Sequence, residues 1–500
     1  MANLKSLAKD TAIYGLSSII GRFLNYLLVP LYTAKIAVES GGYGVITNIY
    51  AYTALLLVIL TYGMETTFFR FANKEGVDPM RVYSTTLISV GATSLMFVAC
   101  VLAFLDPIAD FMGYSAHRHY VAIMFICVAI DAFQCIPFAF LRYQKRPIKF
   151  ASLKLLFVIM NILLNLLYFA WLPELYKTHP DIVGHIYNPA VSVGYAFAIN
   201  LLCTASITVW FWPELIGFKW VFDAQLFKKM LSYSWPILVL GIAGILNQTA
   251  DKLIYPIACP GSQGKVELGI YGAAVKIAMI MAMITQAFRY AYEPFVFGKS
   301  KEKDKDSRDT YAKAMKYFLI FTLLAFLCVM LYLDVIKHII NEGYWEGLKV
   351  VPIVMVAEIM MGIYFNLSFW YKLIDKTIWG AYFSGIGCIV LIAINIIFIP
   401  KYGYMACAWA GVAGYGTSMV LSYIVGQKKY PINYPLKDIF CYVVLTAAIY
   451  AASVYLVPAD WHIAARLACN TLLLMVFIAY LVKKDFPLKA LPVIGKFFKK

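Results

Sequence analysis

Apolar stretches long enough to cross a bilayer follow one another along the chain, at residues 11–34, 43–65, 83–105, 119–140, 150–172, 189–211, 231–256, 266–292, 315–339, 349–371, 377–399, 403–425, 437–457 and 461–482. A helix needs about 20 apolar residues to span the hydrocarbon core, and a helix satisfies its own backbone hydrogen bonds there. The pattern therefore predicts an all-α, polytopic membrane fold with fourteen transmembrane helices. The polar segments between the runs are no longer than about 20 residues, so no inserted soluble domain is expected. The first run follows Lys5 and Lys9 but is too long for a cleaved signal, and no small-residue cleavage motif comes after it. It is expected to stay as a span.

Composition agrees. With 62% hydrophobic and 14% charged side chains in 500 residues, most apolar surface would find no core to enter in a water-soluble protein. The net charge of +16 is the sort of excess that nucleic-acid binders carry, but its placement argues otherwise. With the N-terminus on the inner side, alternate polar segments hold 31 of the 43 Lys and Arg residues, the opposite segments hold 7, and 5 fall within spans. That asymmetry is the positive-inside pattern, which puts both termini in the cytoplasm and speaks against nucleic acid. The count takes Lys154 as an inner-loop residue. The tail 483–500, with Phe486, Phe497 and Phe498 among lysines, is expected to lie on anionic lipid. The ten cysteines lie mostly in apolar runs without a C-x-x-C pair, and the six histidines show no recurring ligand spacing, so no disulfide framework, metal site or cofactor is expected.

Shifting the chain by about 228 residues lays the first six spans on the next six. Tyr43-Gly44 meets Tyr271-Gly272, Glu65 meets Glu293, and Tyr83 meets Tyr311. Asp131 falls one residue from the counterpart of Glu358, and a slightly longer shift brings Asn165 onto Asn395. Gly15, Ser18, Arg22 and Asn25 repeat the spacing of Gly241, Gly244, Gln248 and Asp251, each set a small-to-polar stripe on one helix face. The expected organisation is a six-helix lobe over 1–220, a second over 221–430, an appended helix pair over 431–482, and a basic tail over 483–500. Two lobes repeated in the same orientation imply a central cavity opened to each side in turn, the design of a transporter.

Ionisable groups inside spans are costly and mark candidate pathways. Arg22 and Asn25 on the first span, Lys252 on the seventh and Lys276 on the eighth are candidate substrate-binding residues. Glu65, Asp131, Asp251, Arg289, Glu293 and Glu358 are candidates for ion coupling or structural charge. Asp251 and Lys276 lie at similar depth on antiparallel neighbours and are expected to neutralise each other, leaving Lys252 and Arg22 unmatched. Arg289 and Glu293, four residues apart, are expected to pair.

GIYGAAVKIA at Gly269–Ala278, the Asp251-Lys252 pair ahead of it, QAFRYAYEPFVF at Gln286–Phe297 and NIIFIPKYGYMACAWA at Asn395–Ala410 resemble the Wzx-type polysaccharide flippases. These share a superfamily with the lipid II flippase and the multidrug and toxin exporters, and the resemblance covers essentially the whole chain. It implies an inner-membrane protein moving an undecaprenyl-diphosphate-linked oligosaccharide outward through a cationic lumen, with Arg22 and Lys276 where lumenal cations are expected. The implied partners are that lipid-linked oligosaccharide, membrane lipids, H+ or Na+ as coupling ion, and polysaccharide polymerase machinery. A single arginine on the first span is fewer than lipid II flippases tend to have. An anionic diphosphate in a low-dielectric cavity calls for Arg or Lys, so the physics points the same way.

The rival readings are an ion-coupled drug or cation antiporter relying on Asp131, Glu358 or Asp251, a lipid II flippase, and a membrane enzyme acting on the same sugars. The excess of lumenal cations over acids favours an anionic cargo, and the lack of a large outer loop disfavours an enzyme. Gly298-Lys299-Ser300 ends like a phosphate-binding loop, but Glu293 stands where the first glycine belongs, so no ATP site is expected.

Overall fold

A computed structural model of the protein describes residues 26–216, 219–299, 305–374, 376–458 and 460–485, with backbone alone at 290–299 and 305–307. Every element of regular structure among them is helical. The principal helices are α1 (Leu28–Lys35), α2 (Gly42–Thr61), α3 (Met64–Ala72), α4 (Pro79–Ala103), α5 (Arg118–Tyr143), α6 (Pro147–Leu166), α7 (Gly194–Trp210) and α8 (Ala224–Ala258). They continue with α9 (Ser262–Lys299), α10 (Lys305–Leu331), α11 (Val351–Leu367), α12 (Ile378–Tyr402), α13 (Tyr404–Lys429), α14 (Leu436–Leu456) and α15 (Ile463–Lys484). Eleven described helices are long and apolar enough to cross a membrane, α2 and α3 counting together as Gly42–Ala72. Of the other expected spans, 189–211 corresponds to α7, which has 17 residues. The run 403–425 becomes α13, whose Gly411, Gly414, Gly416, Thr417 and Ser418 dilute its apolar character. The run 11–34 begins in residues outside those described.

Local chemistry sets several helix starts. Asp78 accepts from the Met80 amide with Pro79 at the first helical position of α4, and Pro147 opens α6 in the same way. Asp223 accepts from the Leu226 amide at 2.9 Å to begin α8, and its carboxylate lies 3.1 Å from Arg81. The Leu226 amide holds the Asp223 carboxyl below its ordinary range, with Arg81 adding to the effect. Between α2 and α3 the chain breaks at Tyr62 and Gly63, both with positive φ (31° and 72°). The glycine adopts this without strain and the tyrosine does not, at a cost of about 1–2 kcal/mol.

The chain divides into two compact units, the first comprising Met1–Lys276, Gly343–Gly347 and Ser384–Gly414, the second Ile277–Glu342, Leu348–Phe383 and Tyr415–Lys500. In a bilayer, helices gain little from expelling water, so close backbone approach, aromatic packing and hydrogen bonds hold them together. In the first unit α2 and α9 cross on glycine. A Cβ on Gly44 would overlap the Lys265 carbonyl, one on Gly269 would lie 2.9 Å from the Gly44 nitrogen, and one on Gly272 would lie 2.6 Å from Thr47 Oγ1. Below this, Phe68 is fully buried against the rings of Phe69, Tyr83, Phe140 and Tyr143, and Tyr83 stacks on Phe140 at 4.0 Å. Buried Glu214 closes that end, accepting from Lys149 at 2.6 and 2.8 Å and from Arg146 at 3.1 Å.

In the second unit α14 and α15 are fastened to α10 at both ends. At one end Lys316 bridges Asp438 and Asp485, Lys484 holds the other oxygen of Asp438, and the Tyr442 hydroxyl donates to Asp485. At the other, Asn470 donates to the Leu331 carbonyl at 2.7 Å and Arg466 pairs with Asp334 at 2.6 Å. Arg466 is thus a neutralised span residue.

Candidate functional site

The expected Asp251–Lys276 pair does not form. Asp251 is taken by its chain neighbour, with Lys252 Nζ at 2.9 and 2.8 Å from its two oxygens, and by the Tyr271 hydroxyl, which donates at 2.6 Å. Adjacent helical side chains point about 100° apart, so Lys252 folds back along α8 to reach it, also donating to the Gln248 carbonyl at 3.1 Å. Lys252 is therefore matched, contrary to the sequence reading. Tyr271 and Lys276 are five residues apart on α9, which turns their side chains to different sides of that helix. With Tyr271 on Asp251, Lys276 faces elsewhere and has no acidic partner among the described residues. The charge that acts on it is that of another cation, Lys252.

The surroundings fix this arrangement from several elements. Asn48 on α2 donates to the Lys252 carbonyl at 2.8 Å and accepts from the Tyr114 hydroxyl at 2.8 Å. Lys252 Nζ lies 5.6 Å from the centroid of the Tyr271 ring, and Tyr271 stacks with Tyr404 at 6.4 Å. Of the polar stripe on α8, Gly241 packs against Val58 while Gly244 faces open space and Gln248 is exposed. The result is a buried carboxylate satisfied on both oxygens, while Lys276 has no acidic partner among the described residues.

A second charged group in the same unit surrounds Asp131 on α5. Its Oδ1 accepts from Thr204 on α7 at 3.1 Å, and it borders a cavity of about 190 Å³ lined also by Tyr50, Thr53, Cys127 and Asn200. Asn200 donates to the Tyr50 hydroxyl at 3.1 Å. Lys154 lies close enough to Asp131, Glu65 and Arg142 to feel all three charges, and its ammonium sits 3.9 Å from the Phe138 ring centroid. Glu65 on α3 forms an ion pair with Arg142. The expected span 150–172 already contains Lys154, although the charge count assigned it to the inner polar segment. Pro147 starts the helix there, so Lys154 stands two turns inside it.

The remaining candidates are not gathered at either place. Arg289 lies in the second unit, 5.0 Å from the Phe365 ring centroid, with its Nε unpartnered among the described atoms. Glu293 is on α9 where only the backbone is described, and Glu358 is half-buried on α11. Arg22 and Asn25 lie outside the described residues. Asn48, Thr204 and Asn200 were missed by the sequence reading because uncharged polar residues in an apolar run give no signal of their own, and Tyr271 stood out only as part of the repeat.

Residues 7–292 match the family model described as polysaccharide biosynthesis protein. A protein of the Lsg locus of Haemophilus influenzae is 21% identical over 384 residues, covering 74% of this chain and 86% of that protein. Among solved structures, the lipid II flippase MurJ in an inward closed conformation is similar with a TM-score of 0.71 and 14% identity, over 94% of this chain and 98% of that one. An inward-facing multidrug resistance transporter of the MATE family is similar with a TM-score of 0.59 and 14% identity, over 81% of this chain and 93% of that one. The fold is that of membrane flippases and transporters, and the chain, a multi-pass membrane protein, belongs to the polysaccharide biosynthesis protein family.

Proposed function

We propose that this protein is a flippase that moves an undecaprenyl-diphosphate-linked oligosaccharide, a repeat unit of O-antigen, capsule or another surface polysaccharide, from the inner to the outer leaflet of a bacterial plasma membrane. The observation that carries the reading is Lys276, a lysine inside a membrane helix with no acidic partner among the described residues. A cation left unneutralised in a span is costly unless an anion arrives to meet it, and a diphosphate is such an anion. Asp251 clamps Lys252 so that its charge is largely spent, leaving Lys276, with Arg22 from the first span, to take the phosphates. The family match supports a polysaccharide cargo, and the likeness to the lipid II flippase MurJ supports a lipid-linked one. Both termini are cytoplasmic in this reading.

The test is transport of surface polysaccharide in cells whose own flippase is deleted. Lys276→Ala and Arg22→Ala each abolish it at normal protein level and insertion, and Arg22→Lys restores part, since a point charge lacks the planar fork that grips two phosphate oxygens. Near-normal polysaccharide from the double Arg22→Ala, Lys276→Ala variant would exclude this site.

The Asp131 cavity favours a further element, ion coupling, shared with the antiporter alternative. A carboxylate beside hydroxyl and amide oxygens suits H+ or Na+. If Asp131→Asn removes dependence on an ion gradient while cargo binding persists, coupling resides there. If a cationic drug is exported and no lipid-linked sugar is moved, the antiporter reading replaces the flippase.

A further inference from the structure

A trough of about 930 Å³ runs along the first unit between α2, α4 and α8, and neither Lys276 nor Asp131 lines it. Its walls are Ile59 from α2, Met96 and Phe97 from α4, and Leu231, Trp235 and Leu238 from α8. Lys228, Leu231, Ser232, Trp235 and Leu238 follow helical spacing, so they form one stripe about 15 Å long with the lysine at one end. Buried Leu60 and Tyr62 also line it, and α8 packs closely on the neighbouring break between α2 and α3, where a Cβ on Gly63 would meet Ile237 at 2.9 Å and one on Gly241 would meet Val58 at 2.9 Å. The walls stay open on the outer side, where Met96 is 65% and Trp235 63% exposed. Lys228 is exposed and has no acidic partner among the described residues.

We propose that this trough seats the polyprenyl tail of the lipid-linked cargo as it enters from the inner leaflet, with Lys228 at its mouth meeting the phosphate before it passes to Lys276. The shape and charge match an amphiphile with one long apolar chain and an anionic head. The charge comes at the first turns of α8 and the apolar wall continues toward mid-helix, the order in which such a molecule presents its parts from the membrane surface inward. A trough lined by a single cation takes one chain. The proposal rests on the flippase reading for the identity of the cargo, but it makes a separate claim about where the tail lies.

The experiment uses the full-length protein in lipid nanodiscs with undecaprenyl phosphate, farnesyl phosphate, undecaprenol and phosphatidylglycerol as probes. A photo-crosslinking residue at Met96 should capture undecaprenyl phosphate, one at the lipid-exposed Met475 should not, and excess phosphatidylglycerol should not compete. Ser232→Trp, which fills the trough from an exposed position one turn from Lys228, should weaken undecaprenyl phosphate and farnesyl phosphate alike, at least tenfold. Lys228→Gln should weaken undecaprenyl phosphate severalfold and leave undecaprenol unchanged. Equal competition by phosphatidylglycerol would mean that ordinary membrane lipid fills the trough, and undiminished binding by Ser232→Trp would place the tail elsewhere; either overturns the proposal. Normal polysaccharide transport by Ser232→Trp would sink the trough and leave the flippase standing. Tail capture at Met96 by a protein that moves no lipid-linked sugar would do the reverse.

Discussion

Asp251→Asn removes one charge and almost no volume, which makes it a sharp probe of the bonds around Lys252. In the wild type the carboxylate accepts from Lys252 Nζ on both oxygens and from Tyr271 at 2.6 Å, with side-chain exposures of 12% for Asp251 and 19% for Lys252. Breaking a buried pair by removing one partner costs about 3–5 kcal/mol, mostly because the other charge is stranded. This pair is not fully sealed, and the asparagine oxygen still accepts one bond, so the expected loss is about 2–4 kcal/mol. Most of that loss is attributed to Lys252, so removing it should return stability. Asp251→Asn with Lys252→Met is therefore expected to recover at least half of the loss. The assay is the fraction of detergent-solubilised protein that stays monodisperse after heating, measured for both single variants and the double. If the double variant is no more stable than Asp251→Asn alone, Lys252 was never the stranded charge and the cost lies in Tyr271 or in helix packing. A charge swap of Asp251 with Lys276 is expected to rescue nothing, since those residues do not pair.

Gly44→Ala is expected to lower folded yield sharply, because the new methyl meets the Lys265 backbone and not a yielding side chain, whereas Gly244→Ala, where nothing lies within 4 Å, is expected to be neutral in the same yield measurement. Asp223, whose carboxyl is held below its usual range by the Leu226 amide, contributes to the start of α8 above the ordinary carboxylate pKa and loses that contribution as pH falls through its lowered folded value. Hydrogen exchange at the first amides of α8 should therefore rise relative to the Asp223→Asn protein as pH drops from about 5 toward 3; parallel profiles for the two proteins would refute the cap. A cysteine at Ser307 in an otherwise cysteine-free protein should resist an impermeant reagent in intact cells, and labelling without lysis would invert the proposed topology.

The long apolar runs were readable from the sequence because a bilayer imposes one requirement, internal satisfaction of the backbone, on every stretch of about 20 residues. The helices α4, α5, α10, α14 and α15 follow that rule closely. What the runs could not show is which way a polar side chain turns once the helices pack. Asp251 and Lys276 share a depth, yet a neighbour one residue away and a tyrosine on the far helix claimed the carboxylate first. Lys154 was counted with the basic segment before it although it falls in the run 150–172, and the helix start at Pro147 sets it two turns inside. The Tyr43-Gly44 and Tyr271-Gly272 coincidences were visible as a pattern. Their packing role, backbone touching backbone between α2 and α9, required the distances.

The knot at the ends of α10, α14 and α15 changes how the positive charge of this chain should be counted. Lys316 and Lys484 enter the tally of basic residues on the expected inner side, but each is bound to Asp438, and Lys316 to Asp485 as well, with Lys316 only 12% and Asp485 9% exposed. Two lysines and two aspartates sum to zero there. A free lysine near an anionic leaflet is worth about 1 kcal/mol of attraction, and these two exert almost none of it. Partly sheltered pairs are also screened weakly by added salt. High ionic strength should thus loosen whatever hold the exposed lysines 428, 429 and 437 have on lipid headgroups while leaving the last helix pair fastened in place.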